Sequence, residues 1–350
     1  MRIRRTLPIV LAVVIVAAAV TLAVQLRKNA PPEAARLLPG ADGFFYANFG
    51  WLRKASATAL PAVSHDPEYE QFIQATGFEF ERDLDAVAFA VHYPESWPGG
   101  GTGGPSPEPR FSEVFVGKFD GSRMAAYLKQ LARSIENYHS VDIFTIPVEG
   151  RIFRVAILSV DSVAASNHDD PEVIRGMVDR SRRLASPFGG PALLRRYYKQ
   201  VQLASPIWLV AHVNPASPEL GGWGDFLSHP ADIVVSASYN PLHLPLRSGA
   251  LHVRAEAWAG SNGDAKAIAD KVNVWLTMFH SAEVSVGSPG TDADVKAFFD
   301  SLLVRQEDSR AVVLATLPTN IFHKLLEPPA PAAAPSPAPA HPVKPGGKTH

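Results

Sequence analysis

The sequence predicts an α+β protein in which an N-terminal transmembrane helix precedes two related antiparallel sheet-plus-helix units, with a disordered Pro/Ala-rich tail at the end. Three observations predict this fold class. An apolar run follows a basic head, strand and helix patterns are interleaved through the body, and the C-terminal end lacks large apolar residues. We place the cytoplasmic head and anchor at 1–28, the first unit at 37–186, the second at 187–326 and the tail at 327–350.

The N-terminal segment predicts an uncleaved membrane anchor. Residues 7–24 are uncharged and mostly apolar, which is long enough for a short transmembrane helix. Arg27 and Lys28 follow this run, where a cleaved signal peptide would have a small-residue cleavage site. More basic residues precede the span than follow it closely, which favours an N-terminus in the cytoplasm and a body outside it. We therefore expect a single-pass protein of the cell membrane.

In the first unit, three strands are expected at 43–49, 84–93 and 112–119, and a Gly/Pro-rich loop at 94–110 separates the last two. A helix is expected next, because apolar residues recur at intervals of three and four. The apolar face of this predicted helix consists of Met124, Tyr127, Leu128, Leu131 and Ile135. Two further strand-like runs, 141–147 and 151–160, are separated by "VEG" and predict a hairpin.

The second unit repeats this order. Strands are expected at 205–215, 231–239 and 250–259, and the last alternates so that Glu256 and its neighbours two residues away should face solvent. Ser261 should cap a following helix, and Thr291 a second helix that continues through Leu303. A strand at 310–316 and a short helix after Pro318 complete the unit. Because each half contains three strands followed by a helix, we predict an internal duplication.

The stretch 158–180 contains Ser166, His168, Asp169 and Asp170, which are the residue types of a hydrolase triad. A triad needs side chains that converge from different directions, and neighbours on one turn rarely do so. Asp170 followed by Pro171 instead predicts the start of a helix, with the aspartate as its N-cap. We therefore assign no catalytic residue to this stretch.

Three segments carry a family resemblance: "LLPGADGFFYANFGWLR", then "SVAASN" leading into "DPEVIRGMVDRSRR", and "PALLRRYYKQVQLASPIWLVAHV". Their apolar pattern and small-residue turns resemble bacterial membrane-anchored envelope proteins of unknown function with repeated strand-helix units. The resemblance covers about 37–215. It implies an anchored, repeated body and brings neither an activity nor a cofactor.

The most distinctive candidate site is a basic run. Between 175 and 199 the chain carries seven cations and one anion, Asp179, with two tyrosines among them. We name as candidate binding residues Arg175, Arg180, Arg182, Arg183, Arg195, Arg196, Lys199, Tyr197 and Tyr198. Such a patch outside the cytoplasm would meet lipid headgroups, an anionic wall polymer or an acidic protein. The alternative is that these residues form the solvated faces of two helices.

Two tryptophans in loops, Trp97 and Trp223, are further candidates for recognition by stacking, although each could equally fold its loop onto the body. The glycine-rich "GGGTGG" is flanked by prolines and does not lie between a strand and a helix, so it predicts no dinucleotide site. No metal-ligand spacing is found among the histidines, and no cofactor is predicted.

Composition narrows the function classes. The 33 basic and 34 acidic residues nearly cancel, which argues against nucleic-acid binding by bulk charge, and the absence of cysteine excludes disulfides and thiolate chemistry. We expect an extracytoplasmic binding or scaffold module of the bacterial envelope. The alternatives are a hydrolase acting on an envelope component and a structural spacer.

Overall fold

The computed structural model describes residues 30–55, 66–93, 108–182, 190–215, 227–239, 250–285 and 293–318. The predicted anchor, the predicted tail and the short helix after Pro318 lie outside these residues. Within the described ranges, no helix combines the length and the apolar character needed to cross a membrane.

The described body contains helices on both sides of a sheet. The helices are α1 (Glu33–Leu37), α2 (Phe49–Ala55), α3 (Pro67–Thr76), α4 (Phe80–Asp83), α5 (Gly121–Leu131), α6 (Glu172–Ser181), α7 (Ala192–Tyr197), α8 (Asn262–Ser285) and α9 (Ala293–Asp300), with a 3₁₀ turn at Tyr198–Gln200. The strands are β1 (Gly43–Asn48), β2 (Leu84–His92), β3 (Arg110–Gly117), β4 (Ser134–Tyr138), β5 (Val141–Val148), β6 (Arg151–Ile157), β7 (Ser162–Ser166), β8 (Ile207–Val213), β9 (Ala231–Tyr239), β10 (Ala250–Ala259), β11 (Leu303–Glu307) and β12 (Arg310–Pro318).

All of these strands belong to one 12-stranded sheet, in the order β11-β12-β10-β9-β8-β1-β2-β3-β7-β6-β5-β4. Every neighbouring pair is antiparallel. The predicted α+β class with antiparallel sheet and helices is therefore confirmed. The strands of the two predicted units are not separate sheets, because β1 pairs with β8 at the centre.

On the first face of the sheet, α1, α6 and α7 cover the largest core. This face is apolar because alternate residues of the central strands point to it. Its buried members include Phe44, Tyr46, Ala88, Val114, Ile143, Ile174, Met177, Leu194, Trp208 and Val210. The rings of Tyr46 and Trp208, on the paired strands β1 and β8, stack with centroids 5.5 Å apart. The core thus runs without interruption across the boundary between the predicted units.

The second face is covered near its two ends. Towards β5, the core packs α3 and α5 against the sheet through Phe78, Leu84, Met124, Leu128, Phe144 and Ile146. Towards β12, α8 packs through Ile268 and Ala269 against Ala231 and Ala311. The α8 helix begins as predicted, since the Ser261 hydroxyl accepts a hydrogen bond from the Asp264 N–H at 3.1 Å.

The predicted hairpin of β5 and β6 is confirmed. Its turn residues Glu149 and Gly150 have φ values of 48° and 78°, the left-handed conformation that two-residue hairpin turns require. The predicted strands at 43–49, 84–93, 112–119, 231–239 and 250–259 also lie within two residues of the observed ones.

Two helix predictions extend too far. The helix predicted through Ile135 ends at Leu131, and Ile135 lies on the edge strand β4 with 42% of its surface exposed. The helix predicted through Leu303 ends at Asp300, and Leu303 begins β11. In both cases a strand of five residues follows the helix directly, and its pairing to a neighbouring strand overrides the helical spacing.

The prediction that Glu256 on β10 faces solvent is wrong, because its side chain is 3% exposed. Its carboxylate accepts hydrogen bonds from Arg254 Nε at 2.6 Å and from Trp258 Nε1 at 3.0 Å. Arg310 on β12 approaches the same carboxylate at 3.4 Å. Alternation along β10 gives the face that Glu256 shares with Arg254 and Trp258 but not its burial, which depends on partners from both β10 and β12.

Candidate functional site

The predicted basic run divides between α6 and α7, both on the first face. Arg175, Arg180 and Arg182 belong to α6 or its C-terminal end, and Arg195 and Arg196 belong to α7. Lys199 lies in the 3₁₀ turn that follows. Arg183 lies outside the described residues, as do Trp97 and Trp223. The structure therefore brings most of the predicted cations to one layer, but their contacts differ from one residue to the next.

Arg175 is held by contacts within the fold. Its guanidinium pairs with Glu136 of β4, with Nε and Oε1 2.9 Å apart, and also pairs with Glu172 one turn earlier. The same group lies 5.7 Å from the centre of the Tyr138 ring. These contacts connect α6 to the edge of the sheet, so Arg175 is not a free cation for a partner.

Arg180 and Arg182 both bind backbone carbonyls. Arg180 Nε donates to the Leu37 carbonyl at 2.8 Å, where α1 ends, and burial lowers the pKa of Arg180. A cation at a helix C-terminus satisfies carbonyls that have no partner in the helix. Arg182 Nη2 donates to the Ser140 carbonyl at 3.3 Å and is otherwise exposed.

Arg195, Arg196 and Lys199 are exposed residues on and just after α7, and we call these three residues the cationic edge. No ion pair joins any of them to a carboxylate of the described residues. Arg196 contacts an aromatic neighbour, with its guanidinium 5.2 Å from the centre of the Tyr197 ring. Spacings of three and four residues place all three charges around one short helical segment.

Tyr197 and Tyr198 pack this segment against the sheet. Tyr197 is 7% exposed, and its hydroxyl donates to Asp232 Oδ2 at 2.5 Å. Burial, followed by this hydrogen bond, raises the pKa of Tyr197 to about 12. The Tyr198 ring packs edge-on against Trp208 at 5.3 Å. Both tyrosines therefore belong to the core and fix the orientation of the cationic edge.

Asp232 connects this support to a solvent-exposed histidine. Its second oxygen, Oδ1, lies 2.8 Å from His212 Nδ1 on the neighbouring strand β8. His212 and Asp232 are directly opposite each other in the sheet. The position of α7 on the sheet is thus determined by polar contacts as well as by burial of Leu194.

The segments on either side of the break in the basic run lie close to α1, the first helix of the described body. Arg180 of α6 binds the end of α1 through the Leu37 carbonyl. Just before α7, a Cβ placed on Gly190 would lie 4.0 Å from the Arg36 Cα. α6 therefore contacts α1 through Arg180, and the chain that leads into α7 passes close to α1, which follows the predicted anchor in the chain.

A second polar cluster lies at the end of β2, β3 and β7 and was not predicted from the sequence. His92 Nε2 lies 3.1 Å from Ser112 Oγ, which lies 2.9 Å from Ser166 Oγ. The side chains of His92, Ser112 and Ser166 are 5%, 0% and 3% exposed. The sequence pattern that could have revealed this cluster is the alternation of side chains along the three strands, since it places all three residues on the same face of the sheet.

This cluster does not have the arrangement of an accessible nucleophile. Burial, and then the charge of His168, lower the pKa of His92 to about 4, so the imidazole is neutral near neutral pH. A neutral imidazole could accept a serine proton, but Ser112 has no exposed surface on which a substrate could reach it. We interpret the cluster as a satisfied polar network within the core.

The candidate triad residues at 166–170 have separate roles. Ser166 Oγ accepts a hydrogen bond from the His168 N–H at 3.2 Å, and Asp169 pairs with Arg110 at 3.1 Å. Asp170 Oδ1 accepts from the Glu172 N–H at 2.9 Å, which confirms its predicted role as a cap at the start of α6. Within the described part of the chain, no group of three His, Asp or Glu side chains could hold a metal ion.

Comparisons with known proteins give structural similarity only. No protein-family model matches this chain, and no curated protein matches it. Crystal form III of TP0453 aligns with a TM-score of 0.43 over 85% of this chain and 99% of that chain, at 9% identity. Form I gives a TM-score of 0.40 over 85% and 97%, at 8% identity. Form IV gives 0.41 over 84% and 96%, at 9% identity.

Proposed function

We propose that the protein is a membrane-anchored, extracytoplasmic binding module of the bacterial envelope, and that its cationic edge binds anionic lipid headgroups. The observation that carries this proposal is the exposure of Arg195, Arg196 and Lys199 without a carboxylate partner among the described residues. Each basic side chain near an anionic membrane surface contributes about 1 kcal/mol of attraction. Three such residues on one segment are enough for a measurable, salt-sensitive preference.

Proximity to the predicted anchor supports lipid headgroups over other anions. The helix α1 begins at Glu33, nine residues after the apolar run 7–24 ends. Nine residues span roughly 30 Å at most when fully extended. Because α6 contacts α1 and the chain leading into α7 passes close to α1, the cationic edge would remain near the membrane at a high effective concentration of headgroups. An acidic protein or an anionic wall polymer would have to compete with this surface.

Two further features of the proposal concern organisation. We infer that residues 1–28 form the anchor, with the N-terminus in the cytoplasm, and that the body arose by duplication of a strand-helix unit. The strand series β1-β2-β3 and β8-β9-β10 run outward in opposite directions from the β1–β8 pair, and each is followed in the chain by a helix. The strands β7 and β12 then occupy equivalent positions beside β3 and β10.

A hydrolase and a structural spacer are the two alternative functions that the sequence predicts. A hydrolase would need an accessible nucleophile held by a converging base. Ser112 and His92 are 3.1 Å apart but buried. The exposed Ser228 and His229 are also 3.1 Å apart, but they are neighbours in sequence. A spacer would require the tail 327–350 for function and would tolerate any change of the cationic edge. The following experiment separates the spacer from the binding module.

The test uses a single fluorescent label. The chain contains no cysteine, so Leu203→Cys provides one attachment site on an exposed turn beside the cationic edge, where Leu203 is 63% exposed. The full chain would be reconstituted in neutral and anionic vesicles with an acceptor dye on the headgroups. We expect stronger energy transfer in anionic vesicles, decreasing as salt is added. Arg195→Glu, Arg196→Glu and Lys199→Glu together should reduce transfer to the level of neutral vesicles.

A matched reversal controls for net charge. Lys118, Lys129 and Arg133 are exposed cations in and around α5, which packs on the second face. Changing these three to glutamate alters the total charge equally and should leave the lipid-dependent transfer unchanged. Equal effects of the two triple variants, or equal transfer in neutral and anionic vesicles, would contradict the proposal.

A further inference from the structure

A row of side chains crosses the middle of the second face between its two helical layers. Glu113 on β3 is directly opposite Phe89 on β2, Phe89 is opposite Phe45 on β1, and Phe45 is opposite Leu209 on β8. We call Glu113, Phe89, Phe45 and Leu209 the aromatic row. Residues that are directly opposite in neighbouring strands project from the same face, so the four side chains form one continuous line.

Apart from Glu113 the row is apolar, and it is partly open to solvent. Phe45 is 36% exposed, and Phe89 and Leu209 are partly exposed. Phe111, two residues before Glu113 on the same face, packs against Phe89 with ring centroids 5.1 Å apart. The cores of α5 and α8 on this face involve other residues. An aromatic surface of this kind on the flat side of a sheet can accept an apolar ligand.

Glu113 is the charged residue at one end of this row. No hydrogen bond or ion pair involves its carboxylate among the described residues, and its opposite neighbour on β7 is Ala165. Burial alone raises the pKa of Glu113. A partly buried carboxylate without a partner costs free energy that the protein recovers when a complementary group binds.

Glu256 shows how this sheet accommodates a buried carboxylate when the protein supplies its partners. Glu256, on the opposite face of the same sheet, is more buried but receives hydrogen bonds from Arg254 and Trp258. The sheet therefore contains a carboxylate that is neutralised by the protein and a carboxylate that is not. The row combines one unneutralised acid with an apolar, aromatic body.

We propose that the aromatic row is a binding site for a single-chain amphiphile with one primary ammonium group, which pairs with Glu113 while its chain lies across Phe89, Phe45 and Leu209. Adjacent strands are about 4.8 Å apart, so the path from β3 to β8 is about 14 Å long. The chain of dodecylamine is long enough to cover it. The aromatic rings would also attract the ammonium through their faces. This site is on the opposite face from the cationic edge and takes a ligand of opposite charge.

The test is photo-crosslinking on the full chain in nanodiscs of neutral lipid. The probe is dodecylamine with a diazirine at the end of its chain, and the crosslinked peptides are identified by mass spectrometry. Dodecanol with the same diazirine has the same chain without the charge. We expect the amine to label β1 and β8 at least about tenfold more than the alcohol, because the ammonium adds a charge-assisted hydrogen bond to a shielded carboxylate.

Glu113→Gln removes the charge and keeps the shape of the side chain. We expect this variant to lose the preference for the amine while it retains labelling by the alcohol, and to unfold at the same or a higher temperature. Glu68→Gln on the exposed surface of α3 is the matched control and should behave as the unmodified chain. Labelling by the amine that is equal to labelling by the alcohol, or that survives Glu113→Gln, would overturn the proposal.

Discussion

At the scale of single residues, the ionisable groups of this sheet differ in how completely the protein satisfies them. Glu256 and His92 are both almost fully buried. Glu256 has a hydrogen-bond partner on its own strand, and His92 has one on the neighbouring strand β3. Glu113 is less buried and has none among the described residues. Buried groups with partners stabilise one structure, whereas a partly exposed group without a partner is available to a ligand. This difference is why we assign a structural role to the histidine cluster and a binding role to Glu113.

His92 predicts how stability depends on pH. Its pKa is about 4 in the folded protein, against an ordinary value of 6.5. The fold therefore favours the neutral imidazole, and this contribution is complete above pH 6.5 and decreases as the pH falls from 6.5 towards 4. Between pH 7 and pH 5 we expect a loss of about 2 kcal/mol in the free energy of unfolding from this residue.

Denaturant titrations at the two pH values measure this effect. The variant His92→Gln cannot ionise, so its free energy of unfolding should fall by about 2 kcal/mol less than that of the unmodified chain over the same interval. Its stability at pH 7 is lower because a core contact changes, and the comparison therefore uses only the difference between the two pH values. An identical pH dependence in both proteins would show that another group is responsible.

At the scale of elements, side chains from one helix complete the ends of another. Arg123, in the first turn of α5, donates from Nε to the Ala75 carbonyl at 3.1 Å and from Nη2 to the Gln74 carbonyl, at the C-terminus of α3. Gly77 follows α3 with φ of 74°, and a Cβ there would lie 2.6 Å from Arg123 Nη1. The left-handed conformation favours glycine at this position, and a larger residue would also displace the Arg123 guanidinium.

A double-mutant cycle separates these two requirements. Gly77→Ala should cost about 1 kcal/mol from the left-handed backbone and a further amount because Arg123 is displaced from the α3 carbonyls. In an Arg123→Ala background, only the backbone cost should remain. The free energies of unfolding of the four proteins give the coupling. Additive effects would mean that Arg123 moves aside without loss and is not needed to complete α3.

The elements also show how far sequence patterns predict this protein. Alternation and capping act within one segment, so the central strands and the Asp170 cap were predicted well. The strands β4, β7 and β11 were missed, because each has only five residues and none alternates between a buried and an exposed face: β7 is almost wholly buried, whereas β4 and β11 have no buried residue. The roles of the basic residues depend on partners distant in sequence, such as Glu136 for Arg175 and the Leu37 carbonyl for Arg180. Composition therefore located the basic run but not the cationic edge, whose residues are exposed and have no carboxylate partner among the described residues.

At the scale of the whole molecule, the β1–β8 pair joins the two predicted units into one body. Five residue pairs connect these strands, from Gly43 with Ala211 to Ala47 with Ile207. Trp208 is 1% exposed between Tyr46 of the first unit and Tyr198 of the second. Each unit alone would expose the apolar edge of a central strand, which is a site of aggregation in isolated sheets. We therefore expect the two predicted units to depend on each other for stability.

A protease site inserted after residue 186, the predicted boundary, tests this dependence. After cleavage of the folded chain, we expect both fragments to elute together in size-exclusion chromatography and to separate only in denaturant. The shared ladder and core hold them, and Trp208→Ala, which removes a large buried side chain at the junction, should cost about 3–5 kcal/mol and promote separation. Ile152→Ala, on a residue that is 44% exposed at the far end of the sheet, is the control and should leave the fragments associated. Fragments that separate after cleavage without denaturant would mean that the two predicted units are independent domains, and that the continuous sheet contributes little to their association.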